Sequence, residues 1–281
     1  MTSQQHPGST PGPGQKRTPG SITAQGGRGV PGDFASSLAR TPQPLEARFV
    51  TALRSAASTD RFAAYATAAD QDMELACRLY LWDRDVEAAI LRDIAVVEVA
   101  LRNALSRQLE RAIGPAWYTD RRLGRDKRLT LARDQALQDL AQSGRKPTSA
   151  AMTAQLSLGF WVNLLNLPSD PLWRLCLHRA FPGGKTEAAK ANRRYQRAWV
   201  LSVLQVMRVL RNRCAHHEPL LRGFPLNGQS ARVTTTDGIA AYMTIIRMID
   251  RNLADWMALN TATTAILAAR PQPIPATGGQ A

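Results

Sequence analysis

The sequence predicts an all-α protein, and three observations carry that reading. Apolar residues recur at spacings of three and four over long stretches, no run of alternating residues builds a sheet, and breaks fall at Gly, Pro and Asx positions. The chain has 281 residues, enough to bury a sizeable core. Residues 1–44 are dense in Pro, Gly, Ser, Thr and Gln with hardly a bulky apolar group, so a disordered tail is expected there. The folded domain is expected over residues 45–260, and a second disordered tail over 261–281.

Within the domain the elements follow in order. Leu45–Ala57 reads as an amphipathic helix, and Ser58-Thr59-Asp60 offers caps for a second over Arg61–Ala69. A helix over Asp72–Trp82 precedes the longest element, Asp83–Ile113. There Val86, Ile90, Ile94, Val97, Leu101, Leu105 and Leu109 make one helical face. Gly114-Pro115 ends it, with Trp117 and Tyr118 placed to pack over the break. The basic cluster Arg121-Arg122-Leu123-Gly124-Arg125 leads into a helix through Ala141. Such a cluster is either a solvated helix start or a phosphate contact. Thr148 caps a segment running to Leu158, and Leu156–Leu165 reads as core, with Gly159 allowing two helices to approach closely. Leu172–Ala180 is short, with His178 a core or surface histidine without a catalytic role, and Phe181-Pro182-Gly183-Gly184 is a turn. A long helix over Arg193–Cys214 follows, then a loop over Gly223–Gly238 with an extended piece at Arg232-Val233-Thr234. A last helix, Gly238–Leu259, is capped by Thr236 or Asp237.

The formal net charge is +14. The first 44 residues hold four basic groups and one acid, so about +11 belongs to the remainder. A surface of that sign attracts polyanions, and nucleic acid is the leading candidate. Three scattered cysteines, Cys77, Cys176 and Cys214, form neither a disulfide framework nor a zinc spacing, which points to a reducing cytoplasm. No apolar run approaches the ~18 residues of a membrane span, so no membrane partner is expected. Phosphate-cradling glycine loops, His-Glu-x-x-His and aspartate clusters are all missing, so no cofactor and no metal are expected.

Polar chemistry concentrates in Val209-Leu210-Arg211-Asn212-Arg213-Cys214-Ala215-His216-His217-Glu218-Pro219-Leu220, which holds two of the four histidines. One reading is a helix C-terminus whose Arg and His cap free carbonyls. The other is a catalytic cluster, with His216 and His217 as the available general bases. Arg211 and His216 are five positions apart and point about 140° from each other on a straight helix. They share a site only if the helix unwinds between them or if two chains each supply half. Arg213 and His217, four apart, lie on one face without distortion. Spacing alone does not choose between the pairs.

Leu210-Arg211-Asn212-Arg213-Cys214-Ala215-His216-His217 resembles the hallmark of the Abi-like (abortive infection) branch of HEPN-domain proteins. Leu79-Tyr80-Leu81-Trp82-Asp83, Ile94 to Asn103, and Leu156-Ser157-Leu158-Gly159-Phe160-Trp161 are similar to further motifs of that branch, in the right order. The resemblance covers roughly residues 45 to 260. It implies an all-α HEPN bundle, a homodimer with a composite active site at the interface, and a metal-independent endoribonuclease acting in phage defence or as a toxin. RNA is then the substrate, and an antitoxin or regulator a further candidate partner. His216 would act on the ribose 2′-OH, Arg211 would stabilise the phosphorane, and Asn212 and His217 would support the site. Glu98 is either a partner for Arg211 or half of a structural salt bridge with Arg102. Arg213, Arg121, Arg122 and Arg125 are the candidate RNA contacts. The alternative from the same resemblance is a non-catalytic RNA-binding or regulatory protein. Where AMPylation-controlled HEPN toxins carry a tyrosine two residues after the motif histidine, this chain has Glu218, which speaks against that route of control.

Overall fold

One long helix forms the spine of the bundle, and most other elements lean on it. The computed structural model describes residues 45–167 and 171–273; the expected N-terminal tail and the last part of the C-terminal one lie outside the described residues. Twelve α-helices follow among the described residues: α1 (Ala47–Ala57), α2 (Thr59–Ala68), α3 (Met73–Ile113), α4 (Lys127–Gln142), α5 (Ser149–Gln155), α6 (Leu158–Leu165), α7 (Pro171–Leu175), α8 (Gly184–Lys190), α9 (Arg197–Ala215), α10 (Thr235–Ile249), α11 (Arg251–Asn260) and α12 (Thr263–Ala268). Short 3-10 turns lie at Trp117–Thr119, Leu123–Arg125 and Leu177–Ala180. No β-strand occurs among the described residues, and a single antiparallel bridge joins Phe224 to Val233 beside the expected extended piece.

The central helix is α3, 41 residues, about 60 Å at 1.5 Å per residue. It starts where the Asp72 carboxylate accepts from the Glu74 and Leu75 N–H groups and stops at Gly114, whose φ of 112° only glycine adopts without strain. The two helices expected over Asp72–Trp82 and Asp83–Ile113 are therefore one: nothing at Trp82-Asp83 breaks the backbone ladder. All seven residues of the expected apolar stripe, Val86 to Leu109, are buried. Against α3 pack α2, α9, α10, α12 and the Leu177–Ala180 turn. Trp117 and Tyr118 are buried beyond the Gly114 break, and the Trp117 indole N–H donates to Ser149 Oγ at 3.0 Å.

Other boundaries differ for local reasons. Ser58 sits at φ 61° and makes no side-chain cap, so α2 begins at Thr59 without one. The helix expected to reach Leu158 splits at Leu156-Ser157, where both residues are extended. Between the turn expected at Phe181–Gly184 and the helix expected from Arg193, residues Gly184–Lys190 form α8. The last helix divides at Asp250, whose side chain accepts from the Leu253 N–H and starts α11. α10 is capped by Thr234 in a reciprocal box with Asp237, and not by Thr236. Gly159 does not bring two helices together: a Cβ there would meet only Ser157 Oγ, at 3.5 Å. Gly238 does so instead, since a Cβ would come within 2.8 Å of Leu210 Cδ2 and 3.2 Å of the Phe224 ring. The C-terminal tail expected from residue 261 holds α12. The Thr261, Thr263 and Tyr242 hydroxyls all donate to the buried Asp93 carboxylate, and the Trp82 indole donates to the Ile266 carbonyl.

Candidate active site at the end of α9

Leucine and valine spacing decides how α9 presents its polar residues. Val200, Leu201, Leu204, Met207, Leu210 and Cys214 form the buried face, against α3, α6 and α10. Arg211, one step past buried Leu210, emerges at the seam with α3, where its Nε donates to Glu98 Oε1 at 3.0 Å. Glu98 thus pairs with Arg211 and not with Arg102. Both partners keep partial exposure, 39% and 24%, so the pair borders solvent. Asn212 is exposed and its side chain makes no hydrogen bond among the described residues.

The helix holds through Ala215, so it does not unwind between Arg211 and His216. It closes in a Schellman turn: Glu218 N–H bonds to Arg213 O at 3.0 Å and His217 N–H to Cys214 O at 3.2 Å. The position that normally carries glycine is His217, at φ 54°. His216, just before it, is an exposed residue whose ring makes no hydrogen bond among the described residues. No hydrogen bond or ion pair links Arg211 to His216. Arg213 and His217 do not share a helical face either, because His217 has left the helix. Arg213 is tied to its own turn, by Glu218 at 2.7 Å and the Pro219 carbonyl at 3.1 Å.

Beneath the turn lies a polar cluster from α2 and α3 that the motif reading did not anticipate. Arg84 donates to the His217 carbonyl at 3.1 Å, and Arg61 reaches the His216 carbonyl at 3.5 Å. Arg84 also donates to Glu87 at 2.7 Å, to Tyr65 at 2.9 Å and to Asp83 at 3.2 Å. The fully buried Asp83 carboxylate accepts from the Tyr65 hydroxyl at 2.6 Å and from the Leu220 N–H at 3.1 Å, anchoring the chain beyond the turn. Glu87, only 2% exposed, sets its second oxygen 3.3 Å from His217 Nδ1. Burial, reinforced by Asp83 and opposed by Arg84, Arg61 and Arg213, pushes the Glu87 carboxyl up to about 8. At neutral pH that carboxyl holds its proton, with its second oxygen facing His217 Nδ1. Burial likewise raises Asp83, and it raises the Cys214 thiol to about 12, so Cys214 is an inert core residue. One signal could have found this cluster. Asp83 and Glu87 are one turn apart, and they flank Val86 and precede Ile90 on the buried stripe.

The remaining expected residues lie elsewhere. Arg122 is clamped by Asp120 through two contacts of 2.8 Å, which also hold the Asp120 carboxyl below its ordinary range. Arg121 and Arg125 are exposed. No interaction among the described residues connects this segment to the α9 turn. His178 is partly buried, with Nδ1 2.8 Å from the Trp173 carbonyl. No group of three or more His, Cys, Asp or Glu side chains able to hold a metal ion occurs among the described residues. No described helix is long and apolar enough to cross a membrane.

A comparison with known families decides one question. Residues 47–222 match the family of Abi-like proteins. The chain belongs to the Abi-like family. The matched span runs from the start of α1 past the Schellman turn, so it takes in α3, the buried carboxylates and the whole α9 motif. No curated protein and no solved structure matches this Abi-like chain.

Proposed function

We propose that this Abi-like protein is a HEPN-type endoribonuclease, acting in abortive-infection defence or as a toxin. The observation that carries the reading is the end of α9. A rigid turn, fastened from below by Arg84, Arg61 and Asp83, displays an unpartnered His216 imidazole to solvent close in sequence to Arg211, itself aimed by Glu98. In the proposed step His216 takes the proton of a ribose 2′-OH as that oxygen forms a bond to the adjacent phosphorus. The P–O5′ bond breaks, the departing 5′-oxygen takes a proton from solvent water, and His216 later releases its own proton to solvent. Arg211 offsets the negative charge that builds on the phosphorane oxygens. Products are a 2′,3′-cyclic phosphate and a 5′-OH. Because the helix keeps Arg211 and His216 turned apart, a homodimer in which each chain contributes to a composite site completes the reading.

That same separation within one chain favours a second reading, a non-catalytic RNA-binding or regulatory protein. One assay separates the two. Purified protein and its His216→Ala and Arg211→Ala variants are incubated with a mixed RNA pool containing tRNA, in EDTA, and new 3′ ends are tested for cyclic phosphate. Cyclic ends from the wild type alone are expected, with RNA affinity retained in both variants. Binding without cleavage by any of the three would establish the second reading.

A further inference from the structure

The chain contains Leu-Arg-Asn twice: Leu210-Arg211-Asn212 on α9 and Leu101-Arg102-Asn103 on α3. The second copy has no role in the site described so far. Arg102 lies one helical turn beyond Glu98, about 6 Å along α3 from the carboxylate that holds Arg211. Glu98 is committed to Arg211, so Arg102 is left without its natural i−4 partner. The Arg102 Nε is buried with no hydrogen-bond partner, and the guanidinium makes no ion pair among the described residues.

A buried donor left unmet is costly unless a ligand satisfies it. Arg102 opens into a cavity of about 260 Å³ between α3 and α5, which Asn103 and Arg107 also line. Arg107 is exposed, and neither it nor Asn103 has a side-chain partner among the described residues. The cavity's one carboxylate, Glu110, stands two turns from Arg102, about 12 Å along the helix. It accepts there from Ser149 Oγ at 3.4 Å. The Ser106 and Thr153 hydroxyls close the floor by bonding each other at 2.6 Å. The end nearest Arg211 is therefore a cationic recess with free donors on three side chains.

We propose that this recess is a phosphate subsite in which Arg102, Asn103 and Arg107 hold a backbone phosphodiester of the RNA strand whose scissile phosphate lies at Arg211. The subsite rests on the nuclease reading of the α9 turn and extends it, giving the strand a path along α3. Contacts to a phosphate position the strand and carry no sequence information. A phosphate contact does not read the sugar, so single-stranded DNA of the same sequence should bind the recess equally well.

The test uses the full chain carrying His216→Ala to prevent cleavage, and a fluorescein-labelled single-stranded RNA followed by anisotropy over a salt series. Arg102→Gln should weaken binding several-fold at low salt, by the same factor for different sequences and for the matching DNA. It should also lower the slope of log affinity against log salt by about 0.7, the value for one phosphate contact on a single strand. Arg102→Lys should recover part of the affinity. Circular dichroism checks folding, and the exposed Arg107→Gln carries the same prediction if Arg102→Gln fails to fold. Affinity and slope unchanged in both Gln variants would overturn the subsite and leave the nuclease intact. A lowered slope alongside a wild-type protein that cuts no RNA would uphold the subsite and overturn the nuclease reading.

Discussion

His217 occupies the left-handed region at the one place in a Schellman turn where glycine is the usual choice. A residue with a Cβ costs about 1–2 kcal/mol there, so something compensates for keeping histidine. The structure supplies the compensation in the Glu87 contact and in the turn that sets His216 outward. His217→Ala keeps the strain and loses the contact, whereas His217→Gly loses both. The glycine variant should therefore melt above the alanine variant by the equivalent of about 1 kcal/mol in thermal denaturation. An order reversed from this would mean the backbone at 217 is not strained. Glu87 gives a pH prediction with a definite sign. Its carboxyl ionises at an ordinary value of 4.5 when unfolded and at about 8 when folded. Between those values the native state binds the extra proton, so this group's contribution to stability falls as pH rises and is lost by about pH 8. Glu87→Gln removes the titration, and chemical denaturation across pH 5 to 8 should show a flatter profile than wild type. A variant as steep as wild type would refute this assignment.

Helices meet the site through a few tight contacts. Gly238 lets α10 lie directly on Leu210, the residue before Arg211. Gly238→Ala would push its new methyl against Leu210 and Phe224, at an overpacking cost of about 1–3 kcal/mol. Because Leu210 leads straight into Arg211, the proposed RNA cleavage should fall as well, whereas Gly159→Ala, whose Cβ would meet only Ser157 Oγ at ordinary contact distance, should leave both unchanged. Melting curves and the cyclic-phosphate assay on the two variants check this contrast. The long helix shows why element type was readable and element length was not. Its stripe of Val86, Ile90, Ile94 and Val97 repeats locally, and the repeat alone requires a helix. Whether that helix begins at Asp72 or at Asp83 depends on the Asp72 cap and on buried partners for the acids inside it, supplied by α2 and by the α9 turn.

Across the whole molecule, the segment after α11 closes the bundle. Asp93 collects three hydroxyls, two of them from Thr261 and Thr263, and Trp82 donates to Ile266. Ending the chain at Asn260 would leave a buried carboxylate with one donor and an indole N–H with none, about 1–3 kcal/mol for each unmet group. Such a truncation should lower the melting temperature and expose Trp82 to fluorescence quenchers; an unchanged melt would show that α12 is dispensable. The Abi-like assignment spans residues 47–222, yet this closure lies beyond it.

Periodicity and residue chemistry are local properties, and they already specify an all-helical chain, its buried stripe, its strong positive charge and the motif from Leu210 to His217. Folding decided what those residues touch. Glu98 took Arg211 over Arg102, Arg213 turned to Glu218, and His217 left the helix for Glu87, a partner 130 positions away. Asp83 and Glu87 became a buried platform under the turn only because α2, α3 and α9 converge there. Their raised affinity for protons comes from desolvation, which no linear pattern encodes, because burial depends on neighbours brought from distant parts of the chain.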